Sequence, residues 1–303
     1  MNRITVPALA VAALLALPAA GNASQSFGSQ LKNSPAPGPA CVETTPGPCT
    51  IVSYINPNAD GDPVTSPAPA DGVIVKLRIK SAGPETVTFR LATVNKQGDV
   101  VLAQGAGVGP TLNLQGTSEI EEFAARVPVA QGQHLALDSP STKMVYNQGG
   151  DESAYLYAPT LAEGQGPRAP SAEGVGELLV QAVMEPDADR DGFGDETQDG
   201  CAAQASTQGA CDTSAPAVKR VRLAGASVRF RLSEAATVRL RIEKRKNGRY
   251  VKVRTLTSSG TAGKNSVALG RALPAGRYRV TAVATDAAGN ASAAKRFAVR
   301  RRH

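Results

Sequence analysis

The segment Val228-Arg229-Phe230-Arg231-Leu232 puts an apolar residue at every second position and a cation between each pair. Val238-Arg239-Leu240-Arg241-Ile242 and Val251-Lys252-Val253-Arg254 repeat the pattern. In the first half, Val73, Val75, Leu77 and Ile79 alternate with Lys76, Arg78 and Lys80. A period of two marks a strand with one buried and one solvated face. No window of useful length carries the helical period, and Gly or Pro punctuates every gap. The chain must therefore bury its apolar faces sheet against sheet, which predicts an all-β protein of sandwich type. Its 303 residues leave room for about two domains. Aromatic residues are 4% and Trp is absent, so the cores must be aliphatic. Two His residues are too few for a His-based metal or catalytic cluster.

Residues 1–23 read as a secretory signal: Arg3 supplies the positive region, Val6 to Leu17 the short apolar run, and Gly21 and Ala23 the small residues before cleavage. A retained anchor is opposed by Pro7 and Pro18, and no later stretch suits a membrane span, so the mature chain is expected outside the cell with no transmembrane anchor. Residues 24–40 read as a disordered leader rich in Pro, Ser and Gly. Residues 41–185 form the first sandwich, of jelly-roll type, with strands expected near Val73–Ile79, Thr86–Val94, Val100–Gln104, Glu119–Val127, His134–Leu137, Lys143–Tyr146, Ala154–Ala158 and Glu177–Glu185. Gly105-Ala106-Gly107-Val108-Gly109 reads as a loop. Residues 186–217 form a metal loop and a linker, and 218–303 the second sandwich, with seven strands beginning near Val218, Val228, Val238, Val251, Ser266, Arg277 and Ser292.

The four cysteines fall into two close pairs, Cys41 with Cys49 and Cys201 with Cys211. In an oxidising compartment they predict disulfides, and local pairing closes the shortest loops. Neither spacing is that of a zinc or redox motif.

Charge divides the chain. From Val218 onward there are 22 Lys+Arg against 3 Asp+Glu, whereas Ser24 to Ala217 has 10 against 23. An acidic domain is joined to a basic one. Alternation sends Arg229, Arg231, Arg239 and Arg241 to the outer faces of the second sandwich, and Arg300-Arg301-Arg302 adds a basic tail. One reading is solubility. The other is electrostatic attachment to anionic cell-envelope polymers or polysaccharide, non-specific and salt-sensitive. Nothing indicates a specific nucleic-acid partner.

Between the halves runs Asp187-Ala188-Asp189-Arg190-Asp191-Gly192-Phe193-Gly194-Asp195. Carboxylates at alternate positions wrap onto one centre, and a hard cation such as calcium takes six to eight oxygens. Asp187, Asp189 and Asp191 take positions 1, 3 and 5, Gly192 makes the sharp turn, Phe193 offers its carbonyl and Asp195 takes position 9. Position 12 is Gln198 rather than an acid, with Asp199 next, so either closes the shell, or Glu196 contributes. Pro186 blocks an incoming helix. The alternative is a solvated acidic linker.

On these residues the loop resembles a thrombospondin type-3 repeat and similar bacterial loops, which implies structural calcium outside the cell. The second sandwich resembles bacterial immunoglobulin-like or fibronectin type III-like modules, carried by Leu232-Ser233-Glu234-Ala235-Ala236-Thr237-Val238, Leu273-Pro274-Ala275-Gly276-Arg277-Tyr278 and Ala284-Thr285-Asp286-Ala287-Ala288-Gly289-Asn290. The whole order of sandwich, loop and module resembles secreted actinobacterial multidomain proteins, a resemblance that implies no activity.

Motifs for nucleotide binding, serine hydrolysis and zinc proteolysis are missing. His134 reads as a strand-edge residue. Glu119, Glu121 and Glu122 are the candidates for a glycosidase carboxylate pair, and Tyr155 and Tyr157 for a sugar-stacking platform. The sequence predicts a non-enzymatic, secreted, calcium-binding structural or adhesive protein of the cell envelope, in which calcium stiffens the joint between the sandwiches. The alternatives are a carbohydrate-binding module and, with less support, a hydrolase.

Overall fold

The computed structural model describes residues 23–36, 47–54, 67–97, 100–146, 153–270 and 273–301. Residues 1–22 of the expected signal segment, residues 37–40 of the expected leader and Cys41 lie outside them. The described residues form strands, turns and loops with no helix, in two units, Met1–Gly209 and Ala210–His303.

Unit 1 contains β1 (Gln25–Gly28), β2 (Cys49–Tyr54), β3 (Gly72–Ile79), β4 (Glu85–Gln97), β5 (Val100–Leu114), β6 (Glu121–Val129), β7 (Gln133–Ser139), β8 (Val145–Tyr146), β9 (Ser153–Tyr157), β10 (Ala172–Val175), β11 (Glu177–Leu178) and β12 (Val180–Glu185). The pairings nest. β4 pairs with β5, β3 with β6, β2 with β7 and β1 with β12, all antiparallel. The ribbon rolls so that its strands fall alternately into two sheets, β1-β12-β3-β6 and β2-β7-β4-β5, with β9 and β10 extending the second at the β2 edge. This is the jelly roll that the alternation predicts. Ile51, Ile74, Leu77, Ile79, Phe89, Leu91, Leu135 and Leu137 fill the space between the sheets.

Three expectations for unit 1 are corrected. The leader is not disordered at its start: β1 pairs with β12, and Phe27 is buried in the core. One aromatic among small polar residues is too weak a pattern to read, yet it seals a sheet edge. The Gly-rich segment is no loop. It lies inside β5, where the β4–β5 register slips twice, and a Cβ on Gly109 would stand 2.6 Å from Phe89. Glycine lets the bulged strand close over the core. In β3 the alternation is broken by a bulge between Ile74 and Lys76, so the core face is Ile74, Leu77 and Ile79, with Val75 displaced from it.

Unit 2 contains β13 (Val218–Ala224), β14 (Ser227–Leu232), β15 (Ala236–Lys246), β16 (Arg249–Gly260), β17 (Gly263–Ala268), β18 (Gly276–Thr285) and β19 (Lys295–Arg301). They form the sheets β13-β14-β17 and β16-β15-β18-β19. The seven-stranded sandwich matches the immunoglobulin-like expectation in strand number and nearly in every onset. Val228, Phe230 and Leu232 from one sheet meet Val238, Leu240 and Ile242 from the other. The β15–β16 hairpin turns on Asn247-Gly248, both left-handed, as a two-residue turn matched to strand twist requires. Tyr278, buried at the start of β18, donates its hydroxyl to the Pro274 carbonyl at 2.6 Å, the tyrosine corner of such sandwiches.

Candidate functional site

β12 ends at Glu185, and the chain turns at Pro186 into the acidic loop. The loop is curled by its own carboxylates. Asp187 accepts the amides of Asp191 and Gly192 at 3.0 and 2.9 Å, and Asp191 accepts that of Phe193 at 2.9 Å. Asp195 accepts the Ala188 amide through both oxygens, and its own amide reaches the Pro186 carbonyl. Gly192 sits at φ 85°, a conformation that costs a side chain but not glycine. The curl brings one carboxylate oxygen each from Asp187, Asp189 and Asp191 within 4.8 Å of one another.

Like charges at that separation need a reason to stay. Both oxygens of Asp189, and Oδ2 of Asp199, are sealed from solvent without a well-formed hydrogen bond, the Asp191 amide offering Asp189 only a weak one. Burial, reinforced by Asp191, Asp199 and Asp187, pushes the Asp189 carboxyl above the usual carboxylate range, and burial does the same to Asp195. Carboxylate oxygens shielded from water without a strong partner are costly unless a cation supplies the missing charge. The donors here are all hard oxygens, with neither nitrogen nor sulfur, which suits calcium and not zinc.

Gln198 and Asp199 are not equivalent. The Gln198 carboxamide is engaged in the fold, donating to the Ala125 carbonyl at 2.7 Å and accepting the Gly194 amide at 3.4 Å. Asp199 spends one oxygen on the Cys201 amide and keeps the other unpaired and buried. Glu196 accepts the Ser24 amide at 2.7 Å.

Sequence reasoning missed two residues that position this loop. Glu185, buried at the end of β12, accepts the amides of Glu196 and Thr197 at 2.9 Å each and the Thr197 hydroxyl at 2.7 Å. Gln208 donates to Asp191 at 2.8 Å, and its carbonyl accepts the Gly200 amide. The displaced Val75 belongs to the same docking: a Cβ on Gly194 would lie 2.7 Å from it. Residues 186–209 are thus folded onto unit 1 rather than forming a linker. Cys201 and Cys211 are joined in a disulfide, and Cys49 is also disulfide-bonded.

The other candidates separate. Arg229 and Arg231 are on the outer face of β14, whereas Arg239 and Arg241 are on the outer face of β15 in the opposite sheet. The four do not form one patch. His134 is not at an edge. It is buried in β7 between β2 and β4, its Nδ1 is 3.0 Å from the Ser53 carbonyl, and burial lowers its pKa. Tyr157 is fully buried beside Leu161 with its hydroxyl on the Val101 carbonyl, so it offers no stacking surface. Glu121 accepts the Gln115 and Gly116 amides. Glu122 receives Lys76 and Arg78, which hold its carboxyl below the usual range. No contact of Glu119 joins it to them. One further cluster went unread: Asp212, Glu234 and Asp286 in unit 2 also bring carboxylate oxygens within 4.8 Å of one another. No described helix is long and apolar enough to cross a membrane.

No family model and no curated protein matches the chain. Among solved structures, a biofilm associated protein, BSP domain, aligns over 89% of this chain and 53% of its own length, at 12% identity and a TM-score of 0.23. A beta-glucuronidase from Faecalibacterium prausnitzii aligns over 94% and 48%, at 12% identity and a TM-score of 0.20. The chain spans about half the length of these structures, and likeness at such TM-scores carries no inference about function.

Proposed function

We propose that this is a secreted, non-enzymatic, calcium-binding structural or adhesive protein of the cell envelope. The observation that carries the reading is the set of sealed, unpaired carboxylate oxygens of Asp189 and Asp199 beside the converging Asp187 and Asp191. Asp187, Asp189, Asp191, Asp195 and Asp199 would hold the ion, with the Phe193 carbonyl in the ring and Asp199 rather than Gln198 closing it. The ion does no chemistry here. It offsets the repulsion of the loop and locks residues 186–199 against Glu185. This loop resembles a thrombospondin type-3 repeat in spacing, and calcium is abundant outside cells, where sites of about 10⁻⁴ to 10⁻³ M suffice. The Cys201–Cys211 disulfide fits the same compartment. The engagement of Glu121 and Glu122 in turn and strand contacts supports a non-enzymatic role. The basic unit 2 would hold the protein to anionic envelope polymers.

The test is titration calorimetry with calcium on the full chain, repeated for Asp191→Ala and Asp199→Asn. Binding to the parent that both variants lose supports the reading. Melting curves identical in calcium and in chelator would refute it.

A further inference from the structure

We propose that the face of the sheet β13-β14-β17, and not the opposite face of unit 2, is the docking surface for a linear anionic polysaccharide. This deepens the envelope-attachment reading above and rests on it.

The face is built by a register defect. Lys219 pairs with Arg231, but the next outward pair is Arg222 with Arg229, so β13 places two residues, Arg220 and Val221, opposite the single Phe230. Strict alternation from Lys219 would turn Arg222 inward. The extra residue resets the phase: Val221 and Leu223 pack on the core, and Arg222 faces out beside Arg229. Arg220 takes φ 54° to allow it, an uncommon conformation for a residue with a side chain. On the other flank, Arg231 pairs with Lys264 and Arg229 with Ser266.

Lys219, Arg220, Arg222, Arg229, Arg231 and Lys264 are all exposed, and the three strands contain no acid. None of the six forms an ion pair among the described residues. Arg220, Arg222, Arg229, Arg231 and Lys264 line a groove of about 770 Å³, with Ser266 as a neutral hydrogen-bonding group, while the Asn265 carboxamide is engaged with the Thr261 and Gly263 backbone. Strands lie about 4.8 Å apart, so the cations stand in short rows that suit a repeating anion better than a single one.

The opposite face is different. Arg241 pairs with Glu243 at 3.1 Å, and Arg279 pairs with the same carboxylate and lies over the Tyr250 ring. Arg239 and Arg241 have Thr257 and Thr255 as neighbours on β16, and Val283 and Thr281 on β18. The chemistry of the groove also selects the polymer. Its one aromatic, Phe230, is buried, so there is no platform for stacking nucleobases. Carbohydrate needs cations for its acid groups and hydrogen-bonding groups for its hydroxyls; the guanidinium and ammonium groups and the Ser266 hydroxyl supply both.

The experiment measures the full chain on immobilised heparin and polygalacturonate across a salt series. Arg222→Gln/Arg229→Gln/Arg231→Gln should weaken binding about tenfold or more, and Arg239→Gln/Arg241→Gln by less than about twofold. Thermal melts of both variants confirm that unit 2 is folded. Equal losses from the two variants, or none from the first, would overturn the assignment of the face while leaving envelope attachment standing. Failure of the parent chain to bind either polymer would overturn both. Duplex DNA displacing the chain at a lower charge concentration than the polysaccharides would overturn the choice of polymer.

Discussion

In unit 1 the outward cations of β3 meet an acid across the ladder, Lys76 and Arg78 both reaching Glu122, and Arg90 pairs with Asp138. In unit 2 the outward cations of β13, β14 and β17 meet one another and Ser266, and no acid. Both units use aliphatic cores between antiparallel sheets, so packing does not require the difference. Unit 1 pairs these outward cations with acids and gathers sealed, unpaired carboxylate oxygens in one loop. Unit 2 spreads unpaired charge of the opposite sign over an exposed face. The two proposed ligands rest on this difference: a point cation for the loop, an extended polyanion for the open face.

The largest expected effect separates the units by calcium. An ion that binds only the folded loop stabilises by RT ln(1 + [L]/Kd), about 1.4 to 2.7 kcal/mol for calcium at ten to a hundred times Kd. Chelation should lower the melting of unit 1 by several degrees and leave unit 2 unchanged. Hydrogen exchange on the full chain locates the effect: protection should fall across residues 186–209 and hold in β14, β15 and β18. Equal loss in both units would break the comparison.

Unit 2 should instead respond to acid through Glu243. Arg279 foremost, then Arg241, holds this buried carboxyl below its ordinary value of 4.5. A folded-state pKa lower than the unfolded one means stability is present above about pH 4.5 and lost as pH falls through the folded value. Glu243→Gln should remove about 1 to 2 kcal/mol at pH 7, kept modest by the exposure of both guanidinium groups, and should flatten unit 2's acid dependence below pH 4.5. Acid melts of parent and variant that superimpose would contradict it. Next in size is Tyr278→Phe, which deletes the corner hydrogen bond and should cost unit 2 about 1 kcal/mol, read as a shift in its melting transition alone.

How much of this was readable from sequence differs between the units for a physical reason. Unit 2's strands alternate without interruption at Val228 to Leu232 and Val238 to Ile242, so face and onset follow from local pattern. Unit 1's departures are tertiary. The Val75 bulge makes sense only beside Gly194, more than a hundred residues away, and the glycines of β5 only beside Phe89, Leu91 and the Leu161–Ala162 backbone. The acidic loop was legible because its ligands are spaced by the chain itself. The roles of Gln198 and Asp199 were not, because what distinguishes them is a distant partner, the Ala125 carbonyl. Glu185 was invisible for the same reason, since its carboxylate acts on amides eleven and twelve residues ahead.

The smallest effect tests the central contrast most directly. Charges directly opposite on a ladder contribute about 0.2 to 1 kcal/mol, stabilising when unlike and destabilising when alike. Removing Glu122 from unit 1 deletes an acid shared by two cations, so Glu122→Gln should destabilise slightly. Removing Arg231 from unit 2 deletes a cation flanked by Lys219 and Lys264, so Arg231→Gln should stabilise by a similar amount. The two shifts have opposite signs in about 10 mM salt, where screening is weak, and both fade toward 1 M. A surface residue whose removal stabilises the fold is not required for folding, which is the outcome the proposed anion binding predicts. If Arg231→Gln destabilises unit 2 at low salt, then the groove's cations are supported by contacts within the fold, and their number is no argument for a ligand.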